Sequence, residues 1–289
     1  MNFDIIVVGS GPGGYVAAIR AAQLGKKVAI VERSELGGIC LNWGCIPTKA
    51  LLKSAHVYKE MVHSASYGID FEGVIKPNFL KIIERSRGVS ATMSKGVQFL
   101  LKKNGVEVVE GFATLLGTGR LSVSKEGSED KILTCEQIIL ATGARAKEFP
   151  NLKADGEKVI TYRRAMSLPE QPQSMIVVGS GAIGVELASF YHELGTKVTI
   201  VEFLPNLVPT EDVEVAKYLE RSFRKAKLAF MTSTSVTNID ASGDQCVVTL
   251  SNAKGESTMT VDKVLLAVGV TPNIENMGLE ECGVVLDRG

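Results

Sequence analysis

The sequence predicts an α/β fold built twice over: two domains, each with a central parallel sheet and a β-meander. Three observations predict it. Short runs of β-branched residues alternate with helical stretches, the pattern of parallel strands joined by helices. A glycine-rich turn, Gly9-Ser-Gly11-Pro12-Gly13-Gly14, follows the first such run. The unit then returns at a constant offset of 170 residues. Ile6-Val-Val-Gly-Ser-Gly11 recurs as Ile176-Val-Val-Gly-Ser-Gly181, and Ile30-Val-Glu32 as Ile200-Val-Glu202.

Composition bounds the reading. At 289 residues, 45% hydrophobic and 22% charged, the chain has room for about two domains. Lys+Arg and Asp+Glu both number 32, a formal charge of +0, which gives no electrostatic case for nucleic acid or an anionic membrane. The longest apolar runs, Ile5–Val8 and Met175–Val178, are strand-sized, far from the roughly 20 residues of a membrane span. The N-terminus enters a strand with no basic region or cleavage site, so no signal peptide and a cytoplasmic location are expected. Of five cysteines, Cys135, Cys246 and Cys282 are scattered and make no secreted disulfide framework.

In chain order, Asp4–Gly9 reads as a buried strand and Tyr15–Leu24 as a helix that ends at Gly25. Lys27–Glu32 is the second strand, closed by an acid 23 residues after Gly9. The physics of this unit suits a dinucleotide. Glycines let the backbone approach a pyrophosphate, the helix start offers unpaired N–H groups, and Glu32 can accept from a ribose hydroxyl. A bare strand–turn–helix is the alternative.

Next comes Gly37-Gly38-Ile39-Cys40-Leu41-Asn42-Trp43-Gly44-Cys45-Ile46-Pro47-Thr48-Lys49. The turn between the cysteines can bring their Cβ atoms to about 4 Å, as a disulfide needs. A short constrained ring of this kind suits a bond that opens and closes in a catalytic cycle. Two unrelated core thiols, or half of a metal site, are the bland readings. Lys49 lies one helical turn beyond Cys45, either as a surface charge or as a cation for a thiolate. Residues 77–103 read as a helix with a solvated face, and Val106–Val109 as a strand. Leu121–Val123 and Ile132–Thr134 form a meander, and Gln137–Ala144 is a strand ending in small residues. In the second unit, Glu186 sits in the first helical turn, explained by the helix dipole or by pairing with Lys49. Glu202 favours a free 2′-hydroxyl and disfavours a 2′-phosphate. Arg221, Arg224 and Lys225 read as helix-surface charges. Residues 228–238, 246–250 and 258–261 suggest a meander, and Val264–Gly269 echoes Ile138–Gly143. The expected domains are 1–150, 151–270, and a segment 271–289 that starts back toward the first.

The dithiol stretch, both glycine loops and the two Ala-x-Gly strand ends resemble the pyridine nucleotide–disulphide oxidoreductase family along the whole chain. Gly38–Lys49 is most similar to members that oxidise protein-bound dihydrolipoyl groups, and Glu202 fits an NAD-dependent one. The resemblance implies two Rossmann-like dinucleotide-binding domains of the FAD/NAD(P) type and a set of site residues. FAD would lie on Gly9, Gly11, Pro12, Gly13 and Gly14, with Glu32 at its adenosine ribose and Arg33 beside it. Gly38, Ile39, Cys40, Cys45 and Lys49 would also line it. Ala113 would make a backbone contact near the adenine, with Thr142 and Gly143 close by. NAD would lie on Gly179, Gly181, Ile183, Gly184 and Glu202, with Val236 and Gly269 lining its site. Cys45 would be the thiol beside the flavin, forming a charge-transfer thiolate, and Cys40 the interchange thiol that meets substrate. Lys49 would sit near the flavin N5, with Glu186 as its partner. No metal is implied.

Implied partners are the lipoyl domains of 2-oxo acid dehydrogenase or glycine cleavage complexes, and a second subunit of a homodimer. Family members continue with a Gly-Asp flavin motif and an interface domain, which supplies a His–Glu acid–base to the other subunit. None of these occurs in this sequence, so a C-terminally truncated chain lacking the interface domain is expected. His56, His63 and His192 are expected to be surface or core histidines. Two alternatives are a mercuric or thiol reductase of the same family and an inactive nucleotide-binding piece.

Overall fold

The computed structural model describes residues 2–287. The chain divides into two compact units: residues 1–47, 87–145 and 271–289, and residues 48–86 and 146–270.

The first unit starts with β1 (Asn2–Val8), α1 (Pro12–Gln23) and β2 (Val28–Glu32). Proline opens α1, where its missing N–H costs nothing, and Gly25 follows its end at φ +81°. β1 and β2 run parallel with Ile6 opposite Ala29. Successive β1 side chains enter opposite cores. Ile6 and Val8 pack with Val31 and Leu121, whereas Val7 packs with Ala18, Ile30 and Leu101. Each fully buried aliphatic side chain contributes roughly 1.5–3 kcal/mol of transfer free energy, so a sheet apolar on both faces must be covered on both.

α2 (Gly38–Trp43) and the start of α3 (Cys45–Val62) follow. α4 (Phe79–Lys103) then leads to β3 (Glu107–Glu110), β4 (Phe112–Gly117), β5 (Arg120–Ser124) and β6 (Lys131–Leu140). The sheet order is β3-β2-β1-β6-β5-β4. Here the structure corrects the reading of two strands at 132–134 and 137–144. They are one strand, β6, which pairs antiparallel with β5 through residues 131–134 and parallel with β1 through 134–140. The meander is therefore continuous with the parallel sheet. The strand also ends at Leu140, ahead of the small residues, and β7 (Ala144–Ala146) follows.

In the second unit, β8 (Val159–Thr161) and α5 (Tyr162–Ala165) precede the repeated elements β9 (Ser174–Val178), α6 (Ala182–Glu193) and β10 (Lys197–Val201). Ile176 stands opposite Thr199, the same register as Ile6 and Ala29 shifted by 170. α7 (Val213–Lys225) is capped by Asp212, whose carboxylate accepts from Glu214 N–H at 2.7 Å. Arg224 on α7 pairs with Glu220 and lies 4.8 Å from the Phe230 ring centroid. Of the expected surface charges, Arg224 thus has both an ion pair and a ring contact for its guanidinium.

β11 (Ala229–Met231) continues the parallel sheet beside β10, in the order β11-β10-β9-β15-β8, with β15 at Lys263–Leu266. The expected meander strand over 228–238 is thus two elements. Its first part belongs to the parallel sheet, and only β12 (Ser235–Asp240) joins β13 (Cys246–Asn252) and β14 (Gly255–Val261). Ser233, at φ +48°, sits at the break. Cys246, Val248 and Leu250 of that separate sheet complete the core over Val178, Val201 and Val264. β16 (Val270–Pro272) pairs with β7.

The division of the chain also differs from a cut at residue 150, because residues 48–86 group with the second unit. Phe79 packs on Phe190 and Tyr191, with ring centroids 6.2 and 6.0 Å apart, and Lys59 pairs with Glu193 at 2.5 Å.

Candidate functional site

The first glycine loop is built from three backbones that touch. Gly9, at φ +98°, lies so close to Ala141 that an added Cβ would sit 2.2 Å from the Ala141 carbonyl oxygen. At Gly14 it would sit 1.8 Å from the Gly9 carbonyl oxygen. Gly11 and Gly13 would meet nothing within 4 Å, and Pro12 between them is exposed. Two glycines thus lock strand to helix, and two keep an open face. A pyrophosphate fits such a face, where backbone N–H groups at the start of α1 lack intrahelical partners.

Glu32 ties the loop to β2. Its Oε2 accepts from Ser10 N–H at 2.9 Å and from Ser10 Oγ–H at 2.6 Å, and its Oε1 accepts from Ser34 N–H at 2.9 Å. Glu202 repeats this with Ser180 N–H at 2.8 Å, Ser180 Oγ–H at 2.7 Å and Leu204 N–H at 2.9 Å. Each carboxylate holds its own loop, and a carboxylate oxygen keeps lone pairs for a hydroxyl donor as well.

The second loop copies the first. Added Cβ atoms at Gly179 and Gly184 would lie 2.5 Å from the Ala267 carbonyl oxygen and 2.1 Å from the Gly179 carbonyl oxygen, while Gly181 is open. Ile183 is half-buried on α6, and Gly269 lies two residues past Ala267 at φ +106°. Val236 packs against the core of the same unit at an irregular point of β12.

In the first unit, Arg33 lies 5.9 Å from the Phe112 ring centroid. Ala113 is buried on β4, the outer strand of the sheet, so its backbone is what it offers a ligand. Asn273 donates from its side chain to Thr142 C=O and from its backbone to Gly143 C=O, each at 3.0 Å. These bonds fix the strand end that Gly9 touches.

The dithiol element is docked on the first loop. Gly37 N–H donates to Ser10 C=O at 3.1 Å, and an added Cβ at Gly38, φ +59°, would lie 2.7 Å from Gly11 Cα. Ile39 and Cys40 follow on α2, half-buried. Gly44 passes close to Cys40, where an added Cβ would lie 3.2 Å from Cys40 Cα. Cys45, exposed, is then the first residue of α3. In the second unit, Lys49 Nζ donates to Glu186 Oε1 at 2.5 Å. The three histidines have local partners: His56 beside Glu60, His63 on Lys59 C=O, and His192 on Ala226 C=O.

Ser10 and Ser180, both fully buried, are the residues that sequence reasoning passed over. Their signal was present, since Gly-Ser-Gly recurs with the repeat. Arg87 and Asn273 had no such signal, because their partners are distant in sequence, and neither had the bond from Ser94 to Asn42.

A profile of the family described as pyridine nucleotide-disulphide oxidoreductase matches residues 3–289. A dihydrolipoyl dehydrogenase of Zymomonas mobilis is 47% identical over 291 residues, covering 100% of this chain and 62% of that protein. One of Rhizobium etli is 44% identical, covering 100% of this chain and 63% of the relative. Among solved structures, LpdA of Mycobacterium tuberculosis superposes with a TM-score of 0.89 at 28% identity, over 99% of this chain and 63% of that one. The HOCl-induced flavoprotein disulfide reductase RclA of Escherichia coli gives 0.85 at 26% identity, over 100% and 62%. The chain therefore spans about three fifths of these relatives' length.

Proposed function

The chain belongs to the pyridine nucleotide–disulphide oxidoreductase family, and on that premise we propose that it is the dinucleotide-binding and dithiol-bearing part of an NAD-dependent dihydrolipoyl dehydrogenase. The family is FAD-dependent and uses NAD. The observation that carries the reading is the docking of the Cys40–Cys45 element on the first glycine loop, through Gly37 to Ser10 and Gly38 to Gly11. That backbone contact supports reading the loop as a dinucleotide cradle with the thiols beside it.

In this reading the first loop and Glu32 hold FAD, and the second loop and Glu202 hold NAD. The substrate's dithiol opens the Cys40–Cys45 disulfide by thiolate exchange. Two S–H bonds of the substrate become one S–S bond, and the protein's S–S bond becomes the Cys40 thiol and the Cys45 thiolate, with one proton released. Cys40 takes the substrate sulfur, and Cys45, at the start of α3, holds the resulting negative charge. When bound at the first loop and Glu32, FAD would supply an electron-pair acceptor, and NAD+ at the second loop and Glu202 a hydride acceptor. Lys49, one turn along α3, contributes a cation whose direction is set by Glu186. The substrate is carried by lipoyl domains of 2-oxo acid dehydrogenase or glycine cleavage complexes, the working form is a homodimer, and its place is the cytoplasm. Among the described residues no helix is long and apolar enough to cross a membrane.

The test is Cys45→Ser and Cys40→Ser in the complete protein. Both are expected to abolish NAD-linked oxidation of dihydrolipoamide while leaving NADH-dependent reduction of a dye. Equal loss of both activities would overturn the assignment.

A further inference from the structure

A cation on α4 holds the turn between the two cysteines. Arg87 donates to the Asn42 carbonyl oxygen, and its guanidinium carbon lies 4.0 Å from the Trp43 ring centroid. Asn42 and Trp43 are the last two residues of α2, immediately before Gly44 and Cys45. The final carbonyls of a helix lack intrahelical N–H donors, and a cation there is favoured by the helix dipole. Arg87 meets both needs for this short helix.

The rest of the turn is fixed around it. Asn42 is buried, and its Nδ2 donates to Leu36 C=O at 3.0 Å and Gly38 C=O at 2.9 Å. Its Oδ1 accepts from Ser94 Oγ–H, also on α4, at 2.9 Å. Trp43 Nε1–H donates to Glu35 at 3.0 Å. Gly44, the next residue, is the one that passes against Cys40. Where Asn42 and Trp43 sit therefore decides where Cys45 begins relative to Cys40.

We propose that Arg87 is a positioning residue for the Cys40–Cys45 couple. By clamping Asn42 and Trp43 to α4 it keeps the two thiols at bonding separation after the disulfide opens, and so sets the balance between dithiol and disulfide. This rests on the redox reading of the pair given above. The physical basis is effective concentration: two thiols held in place re-form their bond more readily than two on a loose turn. Lysine keeps the charge but not the planar group that stacks on an indole while donating to a carbonyl.

The experiment equilibrates the FAD-loaded protein with graded ratios of reduced and oxidised dithiothreitol. The oxidised reagent takes two electrons and two protons from Cys40 and Cys45 and opens to its dithiol, as the protein's S–S bond forms. Acid quench, alkylation and mass measurement give the dithiol fraction. Arg87→Gln is expected to shift the equilibrium constant about three- to tenfold toward the dithiol, with Arg87→Lys between. Tenfold corresponds to about 30 mV for a two-electron couple. Should Arg87→Gln fail to fold, Trp43→Leu should shift like the Arg87 variant, and Trp43→Phe, which keeps a ring face but loses the Nε1–H bond to Glu35, should shift less. Arg87 and Trp43→Leu variants that titrate as wild type, whatever their thermal stability, would overturn the proposal. A wild-type protein that forms no disulfide at any ratio would overturn the redox reading, and the proposal with it.

Discussion

Replacing Gly14 and Gly11 by alanine, one at a time, should separate folding from binding within a single loop. At Gly14 the new Cβ would lie 1.8 Å from the Gly9 carbonyl oxygen, where ordinary contact begins near 3.4 Å. Both partners are backbone, so α1 must move off β1 by more than 1 Å. Overpacking of this kind costs about 1–3 kcal/mol, and this case belongs at the upper end. At about 2–4 °C per kcal/mol, the melting temperature should fall by about 6–12 °C. Gly11 has φ −64° and ψ −178°, which alanine adopts, and its Cβ would meet nothing within 4 Å. Gly11→Ala should therefore melt within about 1 kcal/mol of wild type, on the stabilising side if it moves. Its new methyl covers the face proposed for the pyrophosphate, so flavin affinity should drop at least tenfold, about 1.4 kcal/mol. Thermal unfolding by circular dichroism and fluorescence titration of the apoprotein with FAD read the two effects. A Gly11→Ala protein that binds FAD like wild type would refute the cradle, and a Gly14→Ala protein of unchanged stability would refute the packing argument. Gly184→Ala and Gly181→Ala should repeat the contrast for NAD.

Other outcomes follow from the same contacts. Lys49→Ala should change stability by less than about 1 kcal/mol, because the Lys49–Glu186 pair is 63% and 30% exposed and such pairs contribute little. Its turnover of dihydrolipoamide should nevertheless fall at least about tenfold, and unchanged turnover would remove Lys49 from the mechanism. Ser10→Ala leaves Glu32 without its 2.6 Å hydroxyl donor inside a buried loop, and urea unfolding should show a loss of about 1–3 kcal/mol. The Arg145 guanidinium holds Glu275 down to about 2 from the usual 4.5. A lowered carboxyl supplies stability that is full above 4.5 and lost as pH falls toward 2. Urea midpoints of Glu275→Gln should therefore lie below wild type at pH 6 and converge with it near pH 2.

Much of the scaffold was legible because it depends on local pattern. Apolar runs set the strands, Gly25 marked the end of α1 (its start, read at Tyr15, lies at Pro12), and the repeat displayed two glycine loops with their acids. The Lys49–Glu186 pairing, with its partners 137 residues apart, entered the sequence reading mainly through family resemblance, and the structure places the two in contact. What the chain's local pattern could not carry was where segments pair. β6 is one strand because its first residues find β5 and its last find β1. β11 leaves the expected meander because β10 offers it a parallel edge. The sequence by itself determined the two βαβ units and the dithiol between them, since period and spacing are properties of neighbours along the chain. Only the tertiary structure decided that each acid holds its own glycine loop through a buried serine, and that Arg87 holds the dithiol turn. Those bonds join groups 22 and 45 residues apart, which meet only when folding brings their segments together.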